Sequence, residues 1–370
     1  MSAPCPEPAG TGRPAKQEQL AASDEITEVA PGVLRLQLPI DLPGLGHVNT
    51  YALEDGDGFA LVDPGLPGEA SWRALNARLD AAGIPLARVH TVIITHSHPD
   101  HFGGAGLLAA EAGAEVVTSS RFRTIFDGPL NGDAELEERA TVELDDHDPH
   151  VGADADSTLQ FRRHAPWGGT IEGPPPDKVA LFRQRAADGL PFFRAPSPTH
   201  RLDDADRITL ARREWIALYT PGHTDDHLCL FDPLEGVILA GDHVLPTITP
   251  HISGLVEGDS LARYVDSLDR AAGLDGVQKV LPAHGHPFDD LSRRVEEIKR
   301  HHDERLERLR AISEALGWAT VETLSHELFA PRNWGSMAES ETYAHLEHLF
   351  VRGRALRREE GGLLYYLVTG

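Results

Sequence analysis

The sequence predicts an α/β fold built in layers, and three observations predict it. Alternating strands open the patterned part of the chain, strand and helix patterns then alternate up to about residue 119, and strand texture returns between about residues 206 and 285. "GVLRLQLP" (32–39) alternates apolar and polar residues, "VNTYALED" and "GFALVDPG" follow, and "EDGDG" between these two has hairpin-turn composition. "GEASWRALNARLDAAGI" has helical spacing, with Gly83 as its stop. The β-branched run "VHTVIIT" reads as a strand, "GGAGLLAAEAGA" as a helix and "EVVTS" as another strand. The later strands are "DRITLARREWIALY", "LCLFDPLEGVILAGD" and "VQKVLPAHG".

Three segments lie outside this pattern. Residues 1–22, rich in Pro, Gly and Ala, read as a disordered tail, leaving residues 23–290 as the main domain. About residues 119–200 read as an insertion in it, acidic and Gly/Asp-rich, with a helix expected in "DKVALFRQRAADGL". Its Phe161, Trp167, Phe192 and Phe193 call for something to pack on, as a lid over the site or as a peripheral flap or oligomer contact. Residues 291–370 hold three helical stretches and "ALRREEGGLLYYLVTG", two strands around a Gly-Gly turn, which is winged-helix texture.

The net charge of −24 works against binding phosphate-rich nucleic acids and anionic membranes. Two cysteines cannot form a disulfide framework, the first residues contain no apolar secretory segment, and no run of about 18 apolar residues marks a membrane span. The expectation is a cytoplasmic protein.

The chemistry is concentrated at strand ends. "THSHPDH" follows an apolar strand and offers His96, His98, Asp100 and His101; "YTPGH" offers His223, "VILAGD" Asp242 and "VLPAH" His284. Strand-end loops of a layered sheet converge along one edge, so ligands distant in sequence can meet there. His96, His98 and His223 make one three-histidine set; Asp100, His101 and His284 make a second; Asp242 has two oxygens and can bridge. Nitrogen and carboxylate donors without thiolate suit Zn2+, ahead of iron or manganese. His47 reads as a loop cap, His243 as a candidate donor behind Asp242, His227 and His286 as structural or surface residues, and His301 and His302 as solvated.

"HSHPDH" matches the H-x-H-x-D-H signature of the metallo-β-lactamase superfamily, and His223, Asp242 and His284 follow in that family's order. The chain resembles this superfamily over roughly residues 26–290, apart from the insertion. The resemblance implies a four-layer αββα sandwich, a binuclear zinc site at one edge, and a supporting role for Asp63 in "LVDPG". It also implies hydrolysis by a metal-bound hydroxide, with Asp100 as the catalytic group that orients it and moves a proton. With its C-terminal segment, the chain resembles the β-lactamase-like protein 2 group, which contains single-strand endoribonucleases and whose relatives include thioesterases. The third helical stretch carries Glu339, Glu341 and Glu347 and no Lys or Arg in "ESETYAHLEHLF", which argues against a phosphate-reading helix. The expectation is a hydrolase of a small acyl substrate, a thioester or an ester or lactone, with the C-terminal segment used for packing or homodimer formation. A phosphodiesterase or single-strand endoribonuclease and a non-catalytic winged-helix regulator are the alternatives.

Overall fold

A computed structural model describes residues 16–42, 44–56, 58–124, 163–171, 194–255 and 258–369. Strands β1 (Thr27–Ala30), β2 (Val33–Leu42), β3 (Leu45–Asp55), β4 (Gly58–Val62), β5 (Val89–Ile93), β6 (Glu115–Ser119) and β9 (His200–Leu202) form a seven-stranded sheet in that order. Strands β10 (Arg207–Leu210), β11 (Arg213–Tyr219), β12 (Leu228–Asp232), β13 (Val237–Gly241) and β14 (Lys279–Pro282) form a second sheet of five. Helices α1 (Glu69–Ala81) and α3 (Ala105–Ala112) connect strands that pair in parallel, as crossover helices must. Helix α1 ends before Gly83, whose φ of 70° suits the turn.

Period-two alternation places the cores. In β12, Leu228 and Leu230 enter the core between the two sheets, while Cys229 and Phe231 face the helices on the far side. Val237 and Leu239 of β13 likewise point inward, and Ile238 and Ala240 outward. Trp215 is fully buried in the inter-sheet core beside Tyr51, Leu53 and Val62 from the first sheet. Leu36, Leu61 and Val92 face Trp72, Leu75 and Leu108 from α1 and α3. Burying each such large apolar side chain contributes about 1.5–3 kcal/mol. The order helix, sheet, sheet, helix is the four-layer sandwich.

The fourth layer contains α4 (Ser260–Ala272) and α5 (Leu291–Leu316). Beyond it come β15 (Ala319–Thr320), α6 (Val321–Leu328), α7 (Ser336–Val351), β16 (Ala355–Glu360) and β17 (Leu363–Val368), with a three-stranded sheet in the order β15-β17-β16. The expected helices and terminal hairpin are present. Their core is continuous with the outer face of the second sheet: Ile238 and Val280 belong to the same apolar cluster as Ile298, Leu324, Leu346 and Tyr366.

Two differences from the sequence reading have physical causes, and one segment takes a platform the sequence left open. Residues 16–22, assigned to the tail, are placed: a short 3-10 turn covers Gln17–Gln19, and the buried Glu18 carboxylate accepts from the backbone N–H groups of Thr247 and Ile248. His302 is buried, not solvated, because it falls on the stripe Val295, Ile298, His302, Leu306 and Leu309 of α5. Part of the insertion, β7 (Arg163–His164) to β8 (Thr170–Ile171), packs onto the C-terminal unit. There Trp167 lies 5.2 Å from the Tyr343 ring, donates Nε1–H to Glu339, and accepts from the Leu364 N–H. The helix expected at 177–190, Phe161, Phe192, Phe193 and most of the segment read as a lid or flap lie outside the described residues.

Candidate metal centre

The structure brings the seven candidate ligands together at one edge of the sandwich. His96 and His98 follow β5, and Asp100 and His101 lie in the single turn α2 (Pro99–Phe102). His223 lies in the β11–β12 loop, Asp242 directly follows β13, and His284 lies two residues past β14. Close backbone packing requires glycine at two places. A Cβ at Gly103 would lie 2.1 Å from the Pro67 nitrogen, and one at Gly222, where φ is 138°, would lie 2.3 Å from Tyr264 Cβ.

The donor atoms fall into the two expected sets. His96, His98, His223 and Asp242 place donor atoms within 4.8 Å of one another, as do Asp100, His101 and His284. His98 Nδ1 is 3.0 Å from both His96 Nε2 and His223 Nε2. Two nitrogens on one tetrahedral zinc stand roughly 3.3 Å apart, so this spacing suits a shared ion. Asp242 joins the sets: its Oδ2 is 3.5 Å from His223 Nε2 and 3.6 Å from His101 Nε2, and its Oδ1 is 3.3 Å from His284 Nε2. His101 Nε2, His284 Nε2 and Asp242 Oδ1 are buried and have no hydrogen-bond partner among the described residues. Buried polar atoms rarely go unsatisfied, and these point at one another, which fits a cation between them.

Outer partners fix the ring tautomers. His101 donates from Nδ1 to Asp63 Oδ2 at 2.9 Å, His284 from Nδ1 to the His47 carbonyl at 2.6 Å, and His223 from Nδ1 to the His251 carbonyl at 2.7 Å. Each bond leaves the Nε2 lone pair free to ligate. Asp63 adopts φ 53°, a costly conformation for a residue other than glycine, and also accepts from the Thr95 N–H and hydroxyl. His227, read as structural or surface, is buried in the site, stacked 5.0 Å from His96, and its Nε2 accepts from the Asp242 N–H. His47 is also buried there: its Nε2 accepts from the Gly285 N–H, and its Nδ1 bonds the Leu20 carbonyl. His243 is buried between His227 and Tyr264 and makes no hydrogen bond to the seven. His286 is exposed beside Arg35.

The electrostatics divide the sets. Burial, reinforced by neighbouring imidazoles, holds His96 well below its ordinary pKa and pushes His98 down to about 3; burial also lowers His223. Burial would lower His101 and His284 too, but facing carboxylates overcome it. Asp100, Asp63 and Asp242 raise His101 well above its ordinary value, and Asp242 and Asp100 lift His284 to about 10. In return, Asp100 is pulled to about 2 against the opposing effect of burial, chiefly by His101 and His284.

Sequence reasoning passed over Asp226 and His251. Asp226 is buried, accepts from the Ser97 hydroxyl at 3.2 Å, and is pushed up to about 6 by burial. Nothing in "HTDDH" separates it from the neighbouring Asp225, which faces Arg263 and Arg121.

A family model for the metallo-beta-lactamase superfamily matches residues 43–284. The chain belongs to the metallo-β-lactamase superfamily. It is similar to the probable metallo-hydrolase YqjP of Bacillus subtilis, with 26% identity covering 90% of this chain and 97% of that one. A lactamase-like protein of Aspergillus niger, adaB, is 26% identical over 82% of this chain and 70% of its own length. Among solved structures, a metallo-beta-lactamase family protein from Thermus thermophilus superposes with a TM-score of 0.67 at 29% identity, covering 92% of this chain and all of that one. A beta-lactamase domain protein from Burkholderia ambifaria gives 0.68 at 26% identity, covering 94% of this chain and 96% of that one. The protein is a metal-dependent hydrolase of this superfamily, and none of its described helices is long and apolar enough to cross a membrane.

Proposed function

We propose that this hydrolase cleaves a small acyl substrate, a thioester or an ester or lactone, at a centre of two zinc ions. His96, His98 and His223 would hold one ion, Asp100, His101 and His284 the other, and Asp242 would contact both. When bound, the ions supply a water of lowered pKa and polarise the acceptor oxygen. The chain's own groups do the rest. Asp63 and the His47 and His251 carbonyls keep the Nδ1 protons of His101, His284 and His223 outside the centre, so these three imidazoles turn Nε2 inward. Asp100, whose carboxyl is held low by His101 and His284, is ionised at neutral pH; it orients the attacking water and accepts its proton.

The observation that carries the substrate class is the occupied state of the two hairpin arginines, Arg357 and Arg358. Arg357 pairs with Glu347 and lies over the Phe350 ring, while Arg358 lies over Trp318 and Tyr365 and beside Glu360. On α7, Glu339, Glu341 and Glu347 engage Trp167, Arg305 and Arg357. This surface supports packing rather than phosphate reading, in keeping with the chain's net charge of −24. We read the unit as winged-helix-like, serving packing and a homodimer contact, in a cytoplasmic protein; Cys229 is buried as a free thiol.

The test is turnover by zinc-loaded protein on acyl-CoA thioesters and on labelled single-stranded RNA, with Asp100→Ala as the blank. Thioester cleavage missing from the blank is expected. Cleavage of RNA with inert thioesters overturns the acyl reading.

A further inference from the structure

A third cluster of donor side chains lies outside the centre. His302 on α5 and Glu341 and His345 on α7 place donor atoms within 4.8 Å of one another. Their own bonds describe a strut rather than an ion site. His345 Nδ1 donates to the Glu341 carbonyl at 2.7 Å, and His302 Nδ1 lies 3.0 Å from His345 Nε2. The Glu341 carboxylate is engaged on both oxygens: Oε1 by Arg305 of α5, and Oε2 by His251 Nδ1 at 3.5 Å. The balanced charge of the Arg305–Glu341 pair leaves little to attract a further cation.

His251 connects this strut to the centre. It lies in the loop after Asp242, and its carbonyl accepts the Nδ1 proton of His223. The loop is fastened to the C-terminal unit along its length. Gly254 N–H donates to Ser340 Oγ, the residue beside Glu341, and a Cβ at Gly254 would lie 2.4 Å from the Ser340 carbonyl. Arg294 of α5 donates to the Leu245 and Ile248 carbonyls. The other set is oriented by Asp63 and His47, which belong to the first sheet's side of the molecule.

We propose that Glu341, by holding His251, is a positioning residue for His223, so that α7 completes the three-histidine half of the centre and leaves the Asp100, His101, His284 half untouched. The inference rests on the binuclear reading. The step from α7 to the centre is a side-chain contact followed by a backbone carbonyl, and the expected effect is that of removing an outer partner of a metal ligand, about tenfold in affinity.

The test titrates metal-free full-length protein with Zn2+ against a competing chelator and with Co2+ by visible spectroscopy. It uses wild type, Glu341→Gln, and Glu347→Gln as a control on the same helix that pairs with Arg357 and Tyr366 instead. Wild type is expected to take up two ions. Glu341→Gln should weaken one by about tenfold, alter the Co2+ spectrum of that ion alone, and leave the other within about twofold. The tenfold loss should persist in a His284→Ala background and vanish in a His223→Ala background, while Glu347→Gln changes neither ion. Equal weakening of both ions by Glu341→Gln, or of neither, overturns the proposal while leaving the binuclear reading intact. Wild type that binds fewer than two ions overturns both.

Discussion

The two halves of the candidate centre gather their donor atoms within 4.8 Å from opposite electrostatic starting points. The three-histidine half consists of imidazoles that burial keeps neutral, so it can accept a cation without first losing protons. The Asp100, His101, His284 half sits among carboxylates that hold protons on both of its rings, so a cation must displace them. Their supports differ as well. In one half His223 is oriented by a loop fastened to the C-terminal helices; in the other His101 and His284 are oriented by Asp63 and the His47 carbonyl. Preorganisation thus comes in one half from tertiary docking and in the other from charge and a strained residue within the sandwich.

The largest expected effect comes from deleting the charge that defines the second half. Asp100→Ala should cut kcat about 10²–10⁴-fold and abolish uptake of one ion, as read by steady-state kinetics and elemental analysis. Full activity with both ions retained would refute the assignment. Asp63→Asn is gentler. Asparagine tolerates positive φ, so the fold should persist, but the His101 Nδ1 proton loses its carboxylate, and affinity in that half should fall about 10–100-fold by chelator competition. An equal fall in the three-histidine half would erase the contrast.

A pH series sharpens the comparison. His101 and His284 have raised pKa values and carry protons at neutral pH, so each competes with the metal. Affinity in their half should rise with pH by about tenfold per unit per displaced proton until His284 titrates near 10. His96, His98 and His223 have lowered values and are already neutral above about pH 6.5, so their half should stay flat there. Calorimetry in buffers of different ionisation enthalpy counts the protons released for each ion. The smallest effect should be shared. His227 Nδ1 lies 2.8 Å from the Thr220 hydroxyl while its Nε2 accepts from the Asp242 N–H. Thr220→Val leaves the Nδ1 proton without that partner, at about 1–3 kcal/mol of stability, and should weaken both ions equally, because Asp242 serves both halves.

The grouping of the seven candidate ligands was legible because their four segments each follow an apolar run, and strand ends of a layered sheet converge. Asp63 was legible only through the family pattern, since its positive φ and its bonds to Thr95 and His101 emerge only once β4 and β5 are paired. His302 carried a readable signal, its place on an apolar stripe, that the surrounding charges in "KRHHDERLER" obscured. Glu341 and His251 carried none. Their contact depends on how α7 docks against a loop some 90 residues earlier in the chain, and on the packing of α5 and α7, which no local spacing encodes. Trp167 showed that the insertion must pack somewhere, but not that its platform would be the C-terminal sheet.

The fastening of the His251 loop by α7 also orders the protein's assembly in time. A ribosome releases His96 and His98 early, whereas Glu341 emerges about 245 residues later, roughly 12–50 s at ordinary rates of elongation. During that interval the nascent chain presents histidines on a half-built edge whose final brace has not been made. Under the strut proposal, correct metallation of the three-histidine half follows the synthesis of α7, and a chain stalled before α7 would carry the whole ligand motif without the means to hold His223 in place.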